Sequence, residues 1–272
     1  MKTLYLSDLD GTLLRSDERV SEYTANMINR FIRGGGCFSY ATARSIVTAS
    51  KVTAGLNTGF PVICSDGAFI IENATNKILL SNFFISEEVE IISKILKAHA
   101  TYPIVYAYID NRERFSYIER HVTPAMRCFL DTRNGDPRIR VVDTVDALCC
   151  GNVFCFVCMD TDTALFPIAN IFASDDRFTS NYHKEIYSGE KWCDILPVKA
   201  TKADAALQLK AMLGCDKLVV FGDERNDLSL FFVADESYAM SNAVPELKAI
   251  ATAVIDSNDD DGVAKWIERN VL

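Results

Sequence analysis

The chain has 272 residues, 49% of them hydrophobic and 24% charged, and carries a net charge of −9. That length allows one elaborate α/β domain or two smaller ones, and either can bury a full core. The acidic balance argues against nucleic acid as a main partner, because backbone phosphates need a basic face, and no apolar run reaches the roughly 18 residues of a membrane helix. Met1-Lys2-Thr3 leads straight into the first apolar run without the marks of a secretory signal, so a cytoplasmic setting is expected. In Leu4 to Leu9 the residues Leu4, Tyr5 and Leu6 read as a buried parallel strand, which puts Ser7 to Thr12 at its carboxyl end. Asp8 and Asp10 then point toward one small site, where like charges about 4 Å apart repel by roughly 4 kcal/mol at an effective dielectric near 20. A divalent cation relieves that repulsion.

A helix follows, with Ser21 as N-cap, Thr24, Met27, Ile28 and Phe31 along one face and Gly34-Gly35-Gly36 at its end. Cys37 to Ala41 is the second strand, a short helix starts near Ser45, and Pro61 to Cys64 is a third strand ending in Ser65-Asp66-Gly67-Ala68. Phe69 to Leu80 reads as a hairpin around Asn73 to Asn76. The pattern changes near Phe83: Ser86 opens a helix with Val89, Ile92 and Leu96 as its stripe, Tyr102 to Ile109 and Val153 to Met159 read as strands, and Asp162 to Ala173 as another helix. Residues 83–190 are therefore predicted to be an inserted α+β domain, with 1–82 and 191–272 forming a discontinuous core. The core pattern is expected to resume at Ile195-Leu196-Pro197, followed by a helix capped by Thr201 and ended by Gly214. Lys202 lies in that helix's first turn, where a cation is disfavoured unless its ammonium meets an anion. Lys217 to Phe221 is the next strand, with Gly222-Asp223-Glu224-Arg225-Asn226-Asp227 at its end, and Leu228 to Phe232 is helical.

Each motif also has an ordinary structural reading. Asp8 and Asp10 can be turn residues beside Gly11, Lys202 a solvated side chain, and Asp227 a first-turn acid capped by Asn226. The nine cysteines lie mostly in apolar runs such as Cys155-Phe156-Val157-Cys158, which fits reduced buried thiols better than a disulfide framework, a zinc site or a redox pair.

Together the motifs resemble the haloacid dehalogenase superfamily, and within it the Cof-type sugar phosphatases with a large α+β cap. The resemblance rests on Asp-x-Asp-Gly-Thr-Leu at Asp8 to Leu13, Thr42 in Ala41-Thr42-Ala43-Arg44, Lys202, and Gly-Asp-x-x-Asn-Asp at Gly222 to Asp227. Ala239-Met240-Ser241-Asn242-Ala243-Val244-Pro245-Glu246 and the closing Asp261 to Ala264 extend it over nearly the whole chain. Ala43 and Ala203 depart from the glycines usual there, and Asp66 from an asparagine; Asp66 adds negative charge near the cleft.

The resemblance implies a Rossmann-like parallel-sheet core with an inserted cap, and a magnesium-dependent phosphatase acting on small phosphorylated metabolites, sugar phosphates by default. It implies Asp8 as nucleophile forming an aspartyl-phosphate, Asp10 as acid and base, and Lys202 balancing charge. Gly11, Thr42, Lys202 and Asn226 are expected around the phosphoryl group, and Asp8, the Asp10 carbonyl, Asp223 and Asp227 around the metal, the last as ligand or as support. Arg44 and Asp66 are expected in the substrate cleft. Arg112, Arg114, Arg120 and His183 are polar candidates in the insert that read equally well as solvated side chains. A phosphosugar mutase and a catalytically silent sugar-phosphate sensor share this fold and stay as alternatives. A phosphoaccepting signalling domain needs about half the length and no cap.

Overall fold

The computed structural model of the protein describes residues 1–57, 59–184 and 191–272. In chain order its elements are β1 (Thr3–Ser7), α1 (Glu22–Arg33), β2 (Cys37–Tyr40), α2 (Ile46–Val52), β3 (Val62–Cys64), β4 (Phe69–Glu72) and β5 (Lys77–Ser81). Then come α3 (Ser86–Ala98), β6 (Ile104–Ile109), β7 (Arg112–Tyr117), α4 (Pro124–Asp131), β8 (Ile139–Val141), α5 (Val145–Leu148), β9 (Asn152–Asp160), α6 (Asp162–Ala173), β10 (Phe178–Lys184) and β11 (Lys191–Pro197). The chain closes with α7 (Lys202–Met212), β12 (Lys217–Gly222), α8 (Leu228–Val233), β13 (Glu236–Met240), α9 (Pro245–Ile250), β14 (Ala253–Ile255) and α10 (Gly262–Asn270).

Two compact units result, Met1–Ser81 with Ala200–Leu272, and Asn82–Lys199. The larger unit holds a five-stranded sheet in the order β14-β13-β12-β1-β2, every pair parallel. Leu4, Leu6, Phe38, Leu218 and Val220 are fully buried in it, as a parallel sheet covered on both faces requires, and each such side chain contributes roughly 2 kcal/mol by leaving water. Strand β1 has β2 on one side and β12 on the other, so the chain order reverses across it. Open α/β sheets bind ligands at the carboxyl ends flanking such a reversal. Strands β3, β4 and β5 form a separate antiparallel sheet, joined to the end of β2 by one parallel bridge between Ala41 and Ile63.

The smaller unit is built on a six-stranded sheet in the order β10-β11-β9-β6-β7-β8. Its core packs α3, α5 and α6 on one face, through Ile92, Leu96, Leu148, Leu165, Ile168 and Phe172 against Val105, Phe156, Cys158 and Ile195.

One expectation is corrected here. The boundary near Glu190 lies outside the described residues, but Lys191–Pro197 beyond it is a strand of the smaller unit, and the larger unit resumes only at Ala200. The apolar trio Ile195-Leu196-Pro197 looks like a core strand, yet β11 pairs antiparallel with both β9 and β10, so its hydrophobic residues fill the other unit's sheet. Among the described residues no helix is long and apolar enough to cross a membrane.

Candidate active site

The site is made by three loops at the carboxyl ends of neighbouring strands. Asp8 follows β1, Thr42 lies just beyond β2, and Asp223 to Asp227 follow β12. The Asp8 amide donates to the Phe221 carbonyl at 2.9 Å, and the Ala41 amide to the Ser7 carbonyl at 2.9 Å, so the ladder holds all three loops in register to their first residues. Lys202, in the first turn of α7, completes the group; Thr201 caps that helix by accepting from the Asp204 amide at 3.0 Å.

Lys202 is 2% exposed, and its Nζ donates to Asp8 Oδ1 at 2.6 Å and to Asp227 Oδ1 at 2.8 Å. Burial opposes its charge, but Asp227, Asp8 and Asp66 outweigh that and hold its pKa well above the ordinary lysine value. Asp227 is fully buried, and its second oxygen accepts from the amides of Asp223 at 3.1 Å and Glu224 at 3.3 Å. Both of its oxygens are thus engaged in fixing the ammonium and the loop. Asp223 receives a hydrogen bond from Thr12 Oγ1 at 2.8 Å. Gly11, in the left-handed region at φ 73°, lies so near Asp223 that a Cβ there would overlap its carboxylate, which is why this turn takes glycine.

Carboxylate oxygens of Asp8, Asp223 and Asp227 lie within 4.8 Å of one another. Three carboxylates face one ammonium, a formal excess of two negative charges. Burial, then the neighbouring Asp227, raises the Asp223 pKa to about 7; burial likewise drives Asp8 upward, opposed by Lys202. Hard oxygen donors crowded in this way fit a divalent cation of the magnesium class, which supplies the missing positive charge.

Asp10 stands outside that cluster, and its carboxylate is held by Arg44, whose Nε donates to Oδ2 at 2.8 Å while Nη2 bonds both Asp10 Oδ1 and Glu18 Oε2. Arg44 was expected in the substrate cleft; the structure puts its guanidinium on the protein's own acids. Thr42 is buried and its hydroxyl oxygen accepts from the Arg44 amide at 3.0 Å, leaving the hydroxyl proton to be donated. Asn226 reaches toward Asp66, with Nδ2 at 3.4 Å from Oδ1. Asp8, Gly11, Thr42, Lys202, Asn226, Asp223, Asp227, Asp10, Arg44 and Asp66 thus all belong to the larger unit, Lys202 on a helix and the others on the segments that follow its strands. Of the polar candidates in the insert, Arg112 and Arg114 lie on β7, Arg120 donates to the Asp143 carbonyl at 2.9 Å, and His183 faces Trp192.

Sequence reasoning missed two supports. Asn242 Nδ2 donates to the Gly11 carbonyl at 2.8 Å, and Asn258 donates to Asn242 Oδ1 through its amide at 3.1 Å and to the Leu14 carbonyl through its side chain at 2.9 Å. Asn242 sits in a quoted motif, so a signal existed; Asn258 lies in the Ser257 to Asp260 run and reads there as an ordinary turn residue.

Residues 5–267 match the haloacid dehalogenase-like hydrolases. The chain belongs to that family. Among haloacid dehalogenase-like relatives, it is 24% identical over 275 residues to the 5-amino-6-(5-phospho-D-ribitylamino)uracil phosphatase YitU of Bacillus subtilis, covering 96% of this chain and 95% of that one. A second phosphatase of the same name and organism, YwtE, is 26% identical over 286 residues, covering 96% of each. A haloacid dehalogenase-like hydrolase from B. subtilis superposes with a TM-score of 0.80 at 21% identity over the full length of both chains, a likeness of fold. Family and relatives together make this enzyme a phosphatase, and phosphatases of the family generally use a divalent metal.

Proposed function

We propose that this phosphatase hydrolyses small phosphomonoesters, sugar and polyol phosphates foremost, by a magnesium-dependent double displacement through an aspartyl-phosphate on Asp8. The observation that carries the reading is the buried pairing of Lys202 with both Asp8 and Asp227 beside Asp223, at the sheet edge where chain order reverses. A carboxylate attacking phosphorus must stay ionised while a phosphate dianion approaches, and Lys202 serves both needs. Magnesium held by Asp8, Asp223 and the Asp10 carbonyl supplies the charge that offsets the carboxylate excess.

In the first step an Asp8 oxygen bonds to phosphorus, the bond to the leaving oxygen breaks, and Asp10, freed from Arg44 and carrying a proton, gives that proton to the leaving oxygen. In the second, water attacks the same phosphorus, Asp10 takes its proton, and the Asp8 carboxylate is released with inorganic phosphate. Thr42 Oγ, the Asn226 amide and the backbone around Gly11 donate to the phosphoryl oxygens as charge develops. Asp227 supports from behind, since both its oxygens already hold Lys202 and the loop. We assign the smaller unit, Asn82–Lys199, the part of the cap that reads the leaving group. In this reading the setting is cytoplasmic, and neither nucleic acid nor membrane is a partner, in keeping with the −9 charge.

Asp8→Asn is the test. Magnesium-dependent phosphate release from p-nitrophenyl phosphate is expected to disappear while the circular-dichroism spectrum and melting curve stay those of a folded protein. Wild-type-like turnover in that variant would refute the nucleophile. Release of inorganic phosphate without a bisphosphate activator separates the phosphatase from a mutase, and turnover itself separates it from a silent sensor.

A further inference from the structure

Cys37 and Cys215 lie 178 positions apart in sequence, yet their sulfurs are 3.9 Å apart. Cys37 opens β2, and Cys215 sits in the turn between α7 and β12, so the pair lies at the amino edge of the core sheet, opposite the edge that carries Asp8 and Thr42. Both are free thiols, 2% and 9% exposed. A disulfide needs its sulfurs about 2 Å apart. Cys215 belongs to neither flanking element and follows Gly214 at φ 59°, so the remaining approach is a shift within a turn rather than of a strand.

The surroundings suit a stepwise oxidation. Burial, then the neighbouring Cys215, pushes the Cys37 thiol up to about 12, although the Lys2 charge works the other way. Cys37 therefore stays protonated and does not react first. Cys215 is the more exposed of the two, and its sulfur and the Lys2 ammonium both lie against the Leu213 carbonyl, at 4.0 Å and 2.6 Å. A cation beside a sulfur stabilises the negative charge it carries while attacking an oxidant. Cys158 and Cys193 also face each other, across β9 and β11, but both are fully withdrawn from water.

We propose that Cys37 and Cys215 are a redox site, closing to a reversible disulfide when the protein meets hydrogen peroxide. The Cys215 thiolate attacks one peroxide oxygen and the O–O bond breaks; the hydroxide that leaves takes up the proton released by the thiol. Cys215 is then a sulfenic acid. The Cys37 sulfur attacks it, the S–O bond breaks, and the hydroxyl departs with the Cys37 proton as a second water. Two electrons pass from the sulfurs to the peroxide, and a dithiol reduces the disulfide back to two thiols. The bond joins the two chain segments of the larger unit, Met1–Ser81 and Ala200–Leu272, and by closing so long a loop it raises stability.

The reduced full chain is treated with hydrogen peroxide and mapped by mass spectrometry without reductant. A peptide linking Cys37 to Cys215, lighter by two hydrogens and split by dithiothreitol, is expected. The melting temperature of the oxidised wild type is expected to exceed that of the reduced protein by about 5 °C. Cys215→Ser is expected to lose that oxidation-dependent rise, each variant being compared with its own reduced form. Cys128, exposed on α4, is the control, and Cys128→Ser is expected to keep the rise. Recovery of Cys37 and Cys215 unlinked, whether untouched or singly oxidised, or linked to other cysteines, would overturn the proposal. A cross-link that leaves the melting temperature unchanged would overturn the stabilising role.

Discussion

Two buried ion clusters, one in each unit, have opposite designs. In the smaller unit Arg138 is 8% exposed and binds Glu113 through Nη1 at 2.7 Å and Asp136 through Nη2 at 2.7 Å, with its face toward the Phe115 ring. A planar fork matches two carboxylates, one negative charge is left over, and burial, opposed by Arg138, leaves the Glu113 pKa only raised. In the larger unit a point-like ammonium faces three carboxylates, and Asp223 is driven to about 7. The Arg138 cluster ties Glu113 of β7 to the segment just before β8 by two ion pairs to one guanidinium. A cluster that leaves two charges in excess has room for a cation, and on the function proposed above that surplus is what sets the site apart.

The contrast can be broken at several strengths. Lys202→Met is expected to lower kcat/KM for p-nitrophenyl phosphate by about a thousandfold, roughly 4 kcal/mol, because Asp8 and Asp227 lose their shared counter-ion. Steady-state kinetics reads this, and near-normal turnover would place the working charge elsewhere. Arg138→Met should cost about 3 kcal/mol of stability in urea, since it strands Glu113 and Asp136, while kcat per folded molecule is unchanged. A comparable fall in kcat would show that the triad is not merely structural. Gly11→Ala drives a methyl into the Asp223 carboxylate and should weaken magnesium binding by about a hundredfold in calorimetry, near 3 kcal/mol; unaltered affinity would remove Asp223 from the metal's surroundings.

The smallest effect belongs to Asp261, which precedes α10 without capping it and accepts from Ser21 Oγ at 2.6 Å, Thr24 Oγ1 at 3.0 Å and the Arg15 guanidinium. Burial pushes its pKa up, but Arg15, Ser21 and Thr24 together carry it below the ordinary aspartate value. A carboxylate depressed by folding adds stability that is present above its unfolded pKa, near 3.9, and is lost as pH falls through the lower folded value. Asp261→Asn should therefore cost about 1 kcal/mol at neutral pH, and the gap to wild type should close in strong acid. A gap that stays constant with pH would assign the effect to packing.

Legibility followed local chemistry. Asp8, Thr42, Lys202 and Asp223 could be found because each sits where an apolar run meets a turn or cap, a pattern that short-range physics imposes. Strand β7 could not, since Arg112-Glu113-Arg114 reads as solvated; only pairing with β6 and the partner Arg138 lets Glu113 be buried. The assignment of β11 failed for a related reason, because an apolar trio reports burial but not which sheet supplies it. Asn242 and Asn258 act through backbone carbonyls far away in sequence, and asparagine carries no mark of such a partner. The grip of Arg44 on Asp10 and Glu18 likewise depends on the turn at Arg15 to Glu18, closed by the Glu18 amide on the Arg15 carbonyl at 2.9 Å.

The most direct test of the charge surplus is the magnesium-induced shift in melting temperature of the metal-free full chain, wild type against Asp223→Asn. A cation that binds only the folded protein raises its melting point in a concentration-dependent way. The wild-type protein is expected to show that rise and Asp223→Asn to lose most of it. No rise in the wild type, or the same rise in both, would contradict a carboxylate cluster built to receive a metal.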